Sequence, residues 1–272
     1  MYKFNIIFFL LLIVILIPAC EQATDESEFP YEAKLVIRGL IQEGEPINNI
    51  YIARTLPVPV KYQQKFAEIN NASVGILTKD TLIALKYLNN SIYTTNGYIP
   101  KRGEKLTLIV QWEDKLATAE TIIPNIGLIS EPSLKSVNDN NKIKLFIESI
   151  VLPYSQEVYG ATWVTYYDNG AISKEGEDFL SIFKSGTIPG QQNINVSTME
   201  LPSNVSATAN LGVRIHVYPP DFYDYFITQS SSKLSENIFS QSNANVRWNI
   251  KGDGIGMFIA KTDTLIKLKK QN

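Results

Sequence analysis

Cys20 is the only cysteine in the 272 residues of the chain, and it closely follows a short apolar run. Lys3 supplies a positive start, and residues 6–17 carry no charge and no glycine. That run is shorter than the roughly 20 apolar residues that a membrane-spanning helix needs, so the start of the chain is typical of a secretory signal peptide over residues 1–19. No disulfide can form within the remaining chain, so its fold must be stabilised by core packing.

Residues 16–20, Leu-Ile-Pro-Ala-Cys, resemble a lipobox, in which a small residue precedes the cysteine that becomes the lipid carrier and the new N-terminus. We therefore expect a covalent lipid such as palmitate on Cys20. Its acyl chains would hold the protein on a membrane, since each buried methylene contributes about 0.8 kcal/mol. The alternatives are a simple membrane anchor and an ordinary signal peptide that leaves a free thiol.

Residues 20–31 are acidic and poor in apolar side chains, with Glu21, Asp25, Glu26 and Glu28 close together. This composition predicts a flexible tether. Acidic residues directly after the lipidated cysteine also serve as a surface-export signal in some Gram-negative lipoproteins. The segment is interpreted either as such a signal or as a solvated linker.

Without residues 1–19 the chain keeps 253 residues, enough for one large or two modest domains. The formal net charge of the whole chain is −2, and its only basic cluster is Lys267, Lys269 and Lys270 at the end. Nucleic acid is therefore not expected as a partner. Tyrosine is abundant, and long amphipathic helical patterns are nearly absent, which is typical of an extracellular β-protein.

The first part of the mature chain, residues 32–125, is predicted to be an immunoglobulin-like β-sandwich of seven short strands. Two hairpins stand out within it. The first turns at Lys79-Asp80, and the second turns at residues 113–115, between Lys105–Trp112 and Leu116–Ile123. The prolines at 57 and 59 are expected in an extended loop, because proline cannot donate to a strand ladder.

The second part, residues 126–272, is predicted to be a β-rich domain with one short helix near 220–234. Asn169-Gly170 is the strongest hairpin signal, since both residues tolerate positive φ. In the strand 209–218, Val213, Ile215 and Val217 share one face, and Arg214, His216 and Tyr218 share the other. Pro220 and Asp221 suit the start of the helix. The fold class expected for the whole chain is therefore mainly β.

The sequence resembles the outer-membrane lipoproteins grouped as the domain of unknown function 4249 family. A lipobox cysteine precedes an acidic segment, and Leu35–Ile41 resembles the family's first strand. Phe222–Phe226 resembles its aromatic helix, and Asn249–Phe258 resembles its glycine-rich closing segment. These motifs occur in the family's order and span nearly the whole mature chain.

Two positions depart from that pattern. Asp253 stands where a second glycine is usual, and Lys251 where an acid is common. The resemblance implies an outer-membrane setting beside a TonB-dependent transporter, and it implies no catalytic residues. We expect a lipid-anchored, non-catalytic binding or accessory module for the transporter or its cargo, facing the cell surface. The alternative is a structural or adhesive surface lipoprotein.

Catalytic chemistry has few candidate residues in this chain. His216 is the sole histidine, so a Ser-His-Asp hydrolase would have to use it and a multi-histidine zinc site cannot be built. It is expected to be a polar surface residue. The glycines between Lys251 and Phe258 lack the ending of a phosphate-binding loop, so they are interpreted as a bulge or a close backbone approach. Asp139 and Asp253 are interpreted as turn residues rather than calcium ligands. We therefore expect no catalytic residue, no metal site and no cofactor besides the lipid.

Aromatic residues supply the candidate ligand-binding surface. Tyrosine and tryptophan suit contacts with sugars or peptides, and they are concentrated in the second half of the chain. The residues predicted to bind ligand are Trp163, Tyr166, Tyr218 and Tyr223.

Two triplets, Asp80-Thr81-Leu82 and Asp263-Thr264-Leu265, resemble the O-glycosylation triplet of some Gram-negative periplasmic and surface proteins. The sequence leaves open whether either is modified.

Overall fold

The computed structural model describes residues 31–57, 60–139, 142–177, 182–184, 192–205, 210–234 and 246–269, with the side chains of 229–234 excepted. The predicted signal peptide, Cys20 and the acidic tether up to residue 30 lie outside the described residues. Residues Lys34–Asn272 group into one compact unit. In the described part of the chain no helix is long and apolar enough to cross a membrane.

The described residues form seventeen strands and two helices, which confirms the mainly β fold class. The first part contains β1 (Leu35–Gln42), β2 (Ile47–Arg54), α1 (Gln64–Ala67), β3 (Ser73–Leu77), β4 (Leu82–Asn89), β5 (Ile92–Thr95), β6 (Lys105–Trp112) and β7 (Lys115–Ile122). The second part contains β8 (Leu128–Ile129), β9 (Ser133–Asp139), β10 (Lys142–Leu152), β11 (Val158–Tyr166), β12 (Ile172–Glu175), β13 (Phe183–Lys184), β14 (Ile194–Ser197), β15 (Leu211–Tyr218), α2 (Asp221–Leu234), β16 (Lys251–Gly252) and β17 (Gly254–Lys267).

The hairpins are confirmed where the sequence predicts them. β3 and β4 pair through Leu77 and Leu82, around the turn at Lys79-Asp80, and β6 pairs with β7 along its whole length. β11 and β12 are joined through Asn169-Gly170, and Gly170 has a φ of 83°. Such a φ is readily available to glycine, so Gly170 allows the tight turn between the two strands, whose register shifts between Thr165 and Tyr166.

A large sheet connects both parts of the chain. Its strand order is β12-β11-β15-β17-β1-β2-β5-β4-β3-β6-β7-β16, with β13 also paired to β11. The first and last long strands, β1 and β17, are parallel neighbours from Leu35 opposite Gly254 to Gln42 opposite Lys261. The two predicted parts, 32–125 and 126–272, therefore share one sheet, and the division between them stays a prediction.

The sheet folds back on itself, so that β7 lies across from β17. Thr121 Oγ1 of β7 accepts a hydrogen bond from the Ala260 N–H of β17 at 3.0 Å. A Cβ built on Gly254 would lie 3.0 Å from the Cβ of Ala117. Strand residues that face this interior are buried, among them Ile37, Ile52, Leu106, Leu108 and Phe258. The sheet thus forms two layers in a sandwich-like arrangement, to which the first part and β17 both contribute.

The glycine-rich segment at the start of the last strand serves a close backbone approach, as predicted. Gly256 has a φ of 123°, and a Cβ there would lie 1.9 Å from the backbone oxygen of Ile37. Asp253 Oδ2 accepts a hydrogen bond from the Leu116 N–H at 2.9 Å, and the Asn249 side chain bonds the backbone N–H and oxygen of Phe258. These contacts fasten the start of β17 between β1 and β7.

A second, smaller sheet covers one face of the C-terminal strands. β10 pairs with β14 on one side and with β8 and β9 on the other. Its buried residues Ile147, Val151 and Val196 pack with the inner residues of β11 and β15. The opposite face of β11, β15 and β17 carries the polar side chains described below.

Helix α2 is confirmed at the predicted place, directly after Pro219-Pro220. It packs on the end of β15, where Phe222 stacks on Tyr218 with ring centroids 4.1 Å apart. Val158, Met257 and Ile259 complete the apolar contact beneath the helix. Burial of this apolar surface holds α2 over the end of β15 that carries Tyr218. The preceding residues on the same face of β15, Arg214 and His216, line an open pocket.

Candidate functional site

Strand β15 divides its side chains between an apolar core and a polar face. Val213, Ile215 and Val217 are fully buried against the small sheet, which confirms the predicted apolar face. Arg214 and His216 lie on the other face, the face on which Tyr218 contacts α2. Because β11 and β17 flank β15 in regular register, side chains far apart in sequence meet there: Arg214 lies opposite Thr162, and His216 opposite Asp263.

His216 is the centre of this polar cluster. Its Nδ1 lies 2.9 Å from Asp263 Oδ1, and its Nε2 lies 3.0 Å from Thr162 Oγ1. Since an ionised carboxylate can only accept, Nδ1 carries the proton that His216 donates to Asp263. His216 is only 8 % exposed, so its interpretation as a surface residue is wrong. Strand alternation shows which face a residue takes, but not that neighbouring groups shield that face.

Glu175, from the end of β12, holds the guanidinium of Arg214. Arg214 Nε donates to Glu175 Oε1, and Nη2 donates to Oε2 at 3.1 Å. The hydrogen bond with Glu175 raises the pKa of Arg214, although burial acts in the opposite direction. The pair is bidentate, which fixes the plane of the guanidinium as well as its position.

Asp263 accepts hydrogen bonds from two further side chains of the cluster. Its Oδ2 accepts from Gln42 Nε2 at 3.2 Å and from Lys261 Nζ at 3.3 Å. Burial alone would raise the pKa of Asp263. The hydrogen bond and charge of His216, together with Lys261, outweigh it and lower the pKa to about 2. The carboxylate is therefore ionised at neutral pH and links β17, β15 and β1.

This network forms the floor of a pocket of about 440 Å³. Arg214, His216, Lys261 and Asp263 lie along the floor, and Glu175 lies at one side. The other wall comes from the β1–β2 turn and the start of β2, residues 45–49, which include Asn48 and Asn49. Most of the lining is polar, and the turn residues are exposed, so the pocket is open to solvent. Its chemistry suits a small polar ligand rather than an apolar one.

The arrangement resembles the order of groups in a hydrolase triad: the Thr162 hydroxyl contacts the His216 imidazole, which contacts the Asp263 carboxylate. Two features argue against nucleophilic catalysis. Thr162 is only 2 % exposed, so a substrate has little access to its hydroxyl. Glu175 Oε1 lies 3.4 Å from Thr162 Oγ1, and a carboxylate at that place would destabilise the negative charge of an acyl-transfer transition state. The arrangement instead fits a network that holds binding groups in place.

The four aromatic residues predicted to bind ligand do not form one surface. Trp163 points to the opposite face of β11 and packs against the core beneath the small sheet. Tyr166 is buried, and Lys267 Nζ lies 4.7 Å from its ring centre. Tyr218 is buried under α2, where burial raises its pKa, and Tyr223 lies on α2 with Lys184 Nζ 5.2 Å from its ring centre. Their role in binding stays a prediction.

Most residues of the polar cluster were not predicted from the sequence as members of a site. Thr162, Glu175, Arg214, Lys261 and Asp263 come from four strands, and only their register brings them together. The available signal was the pair of polar residues, Arg214 and His216, that alternates with apolar residues in a central strand. Within the described ranges, no group of three or more His, Cys, Asp or Glu side chains is arranged to hold a metal ion.

No curated protein matches the chain. Residues 21–265 match the model of the family described as Domain of unknown function (DUF4249), which covers the sandwich-like part, the polar pocket and helix α2. The family resemblance drawn from the first strand, the aromatic helix and the closing glycine-rich segment is thereby confirmed, whereas the lipobox at residues 16–20 lies outside the matched residues. The chain belongs to the domain of unknown function 4249 family.

Proposed function

We propose that this protein is a lipid-anchored outer-membrane lipoprotein that binds a small polar ligand without transforming it and serves a TonB-dependent transporter or its cargo. The observation that carries the binding role is the pocket on the open face of β15 and β17. Its floor holds Arg214, His216, Lys261 and Asp263 in fixed positions before any ligand arrives. Such preorganisation lowers the entropic cost of binding.

The hydrogen-bonding capacity of the floor indicates the class of ligand. Among the described contacts, Arg214 donates two of its N–H groups to Glu175, and Lys261 donates one N–H to Asp263. Both cations therefore have further N–H groups that can donate to a ligand. The acids nearby compensate the charge of both cations, so the pocket does not demand a strongly anionic partner. Donors in excess and balanced charge favour an oxygen-rich ligand that carries hydroxyl, carbonyl or single carboxylate groups.

The location rests on the start of the sequence. The apolar run, the lipobox and the acidic segment after Cys20 support export, lipidation and display at the cell surface. The family resemblance supports an outer-membrane setting and a transporter partner. Membrane attachment then comes from the lipid on Cys20.

The test is an affinity pull-down of the tagged protein from gently solubilised native outer membranes, read by mass spectrometry. We expect a stoichiometric TonB-dependent barrel. Native mass spectrometry of the same preparation is expected to show a bound small molecule that Lys261→Met loses and that Lys135→Met keeps, because Lys135 pairs with Glu148 on the small sheet. A protein that emerges without a barrel refutes the accessory role and favours the adhesive alternative. Equal ligand retention in both variants refutes the pocket.

A further inference from the structure

Residues 60–66, Val-Lys-Tyr-Gln-Gln-Lys-Phe, form an exposed segment with an unusual composition for a solvated loop. All seven residues are exposed. The three apolar or aromatic side chains remain accessible over large fractions: 41 % for Val60, 65 % for Tyr62 and 42 % for Phe66. Lys61 and Lys65 lie between them, and Lys65 Nζ lies 4.9 Å from the ring centre of Phe66. The segment thus presents aromatic and basic groups side by side.

The 60–66 segment is held firmly against the sheet. Arg54 Nε donates to the Phe66 backbone oxygen at 2.9 Å, and Gln64 Nε2 donates to the Asn90 oxygen at 3.1 Å. The N–H groups of Val60 and Phe66 bond to Pro57 and Gln63 within the same stretch. These contacts fix the backbone while the apolar side chains stay outside, so their exposure is built into the local structure.

The segment lies at the end of the sheet where the chain enters it. Lys34, directly before β1, exchanges hydrogen bonds with Thr55, directly after β2. Arg54, which holds Phe66, pairs with Leu35 at the first position of β1. Only thirteen residues separate Lys34 from Cys20, a distance of at most about 50 Å whatever their conformation. A lipid on Cys20 would therefore restrain this end of the sheet more closely than the opposite end.

We propose that the 60–66 segment docks onto the bilayer that carries the Cys20 lipid. Tyr62 enters the interfacial region, where its amphipathic ring is favoured, and the apolar side chains of Phe66 and Val60 are buried with it. Lys61 and Lys65 extend their ammonium groups toward phospholipid headgroups. The proposal rests on the lipid anchor of the proposed function and adds a second, non-covalent contact that orients the protein on the membrane.

Charges at the same end of the sheet indicate which part of the contact dominates. The β6–β7 turn carries Glu113 and Asp114, and this turn lies close to the segment, since Trp112 Nε1 bonds to Asn71 and Arg54 lies over the Trp112 ring. These acids reduce the electrostatic attraction of the two lysines to an anionic surface. Insertion of the apolar side chains therefore carries the contact, and the lysines assist it.

The test uses the mature acylated lipoprotein, reconstituted in vesicles of phosphatidylethanolamine and phosphatidylglycerol. Tyr62→Cys is labelled with a bimane fluorophore, which reacts at one site because the only native cysteine is blocked by its lipid. Leu82→Cys is the matched control, since Leu82 is 60 % exposed but lies at the opposite end of β3 and β4. Both substitutions replace exposed side chains, and thermal unfolding checks that both variants fold like the unaltered protein.

Brominated lipids quench a fluorophore only when it approaches the acyl chains. The expected result is loss of most bimane fluorescence at position 62 and none at position 82. Equal, unquenched emission at both positions in a protein that floats with the vesicles overturns the docking proposal and leaves the lipid anchor intact. A protein that does not float with the vesicles overturns the anchor, and the docking proposal that rests on it fails as well.

Discussion

Replacement of Asp263 by asparagine is expected to destabilise the protein at neutral pH and to have little effect in strong acid. The Asp263 side chain is only 12 % exposed, and it accepts hydrogen bonds from His216, Lys261 and Gln42. Those interactions hold its pKa at about 2, against an ordinary value of 3.8. This lowering corresponds to about 2 kcal/mol of folding free energy, because each tenfold change in proton affinity is about 1.4 kcal/mol.

The direction of the pH dependence follows from the lowered pKa. An acid whose pKa is lower in the folded than in the unfolded state stabilises the fold at pH values above the unfolded pKa. That contribution is lost as the pH falls from about 4 through 2, where half of the Asp263 carboxyls are protonated. The stability difference between the unaltered protein and Asp263→Asn should therefore shrink from about 2 kcal/mol at pH 7 to well below about 1 kcal/mol at pH 2.

Urea unfolding of the chain from residue 21 onward, followed by tryptophan fluorescence at both pH values, measures this difference. Asp80→Asn is the control, because Asp80 is exposed in the β3–β4 turn. It should change the free energy of unfolding by less than about 0.5 kcal/mol at either pH. A loss in Asp263→Asn that is the same at pH 7 and pH 2, or no larger than in the control, would refute the reasoning about this carboxylate.

Three further outcomes are expected. Gly256→Ala should lower the free energy of unfolding in urea by about 3 kcal/mol or more, because its Cβ would collide with the Ile37 backbone. Gly44→Ala is the control: Gly44 also has a positive φ but open space around it, so the loss should be about 1 kcal/mol, and equal losses would contradict the close approach. Any glycan mass in peptide maps of the native protein is expected on Thr81, exposed in a turn, and not on Thr264, half-buried in β17; glycan on Thr264 would contradict this accessibility argument. Cys20→Ser should move the protein from the membrane fraction to the soluble fraction, and retention in the membrane would show another anchor.

Local signals in the sequence were sufficient to predict several individual strands, turns and the helix of this fold. Asn169-Gly170 marks its hairpin because few residues accept the turn geometry, and Pro220 with Asp221 marks the start of α2. The alternation of Val213, Ile215 and Val217 identifies the core face of β15, since a strand changes face at every residue. Each of these inferences depends on interactions within a few residues.

The pairing of distant strands was not accessible in the same way. The contact of β1 with β17, and the meeting of Thr162, Glu175 and Asp263 around His216, depend on register between segments up to about 220 residues apart. A single sequence records the polarity of each residue but not its partner across the sheet. The burial of His216 could not be inferred for that reason, although the face on which it lies could.

The parallel pairing of β1 with β17 also affects the order in which this protein can mature. If the chain is exported as proposed, its N-terminal residues emerge first, and β1 can pair with β2 as soon as both are outside. The other edge of β1 has no strand to pair with until residues 254–261, near the end of the chain, have crossed as well. An open strand edge invites pairing with other chains, so this protein should depend on chaperones until translocation is complete. The centre of the finished sheet is thus the last part of it to close.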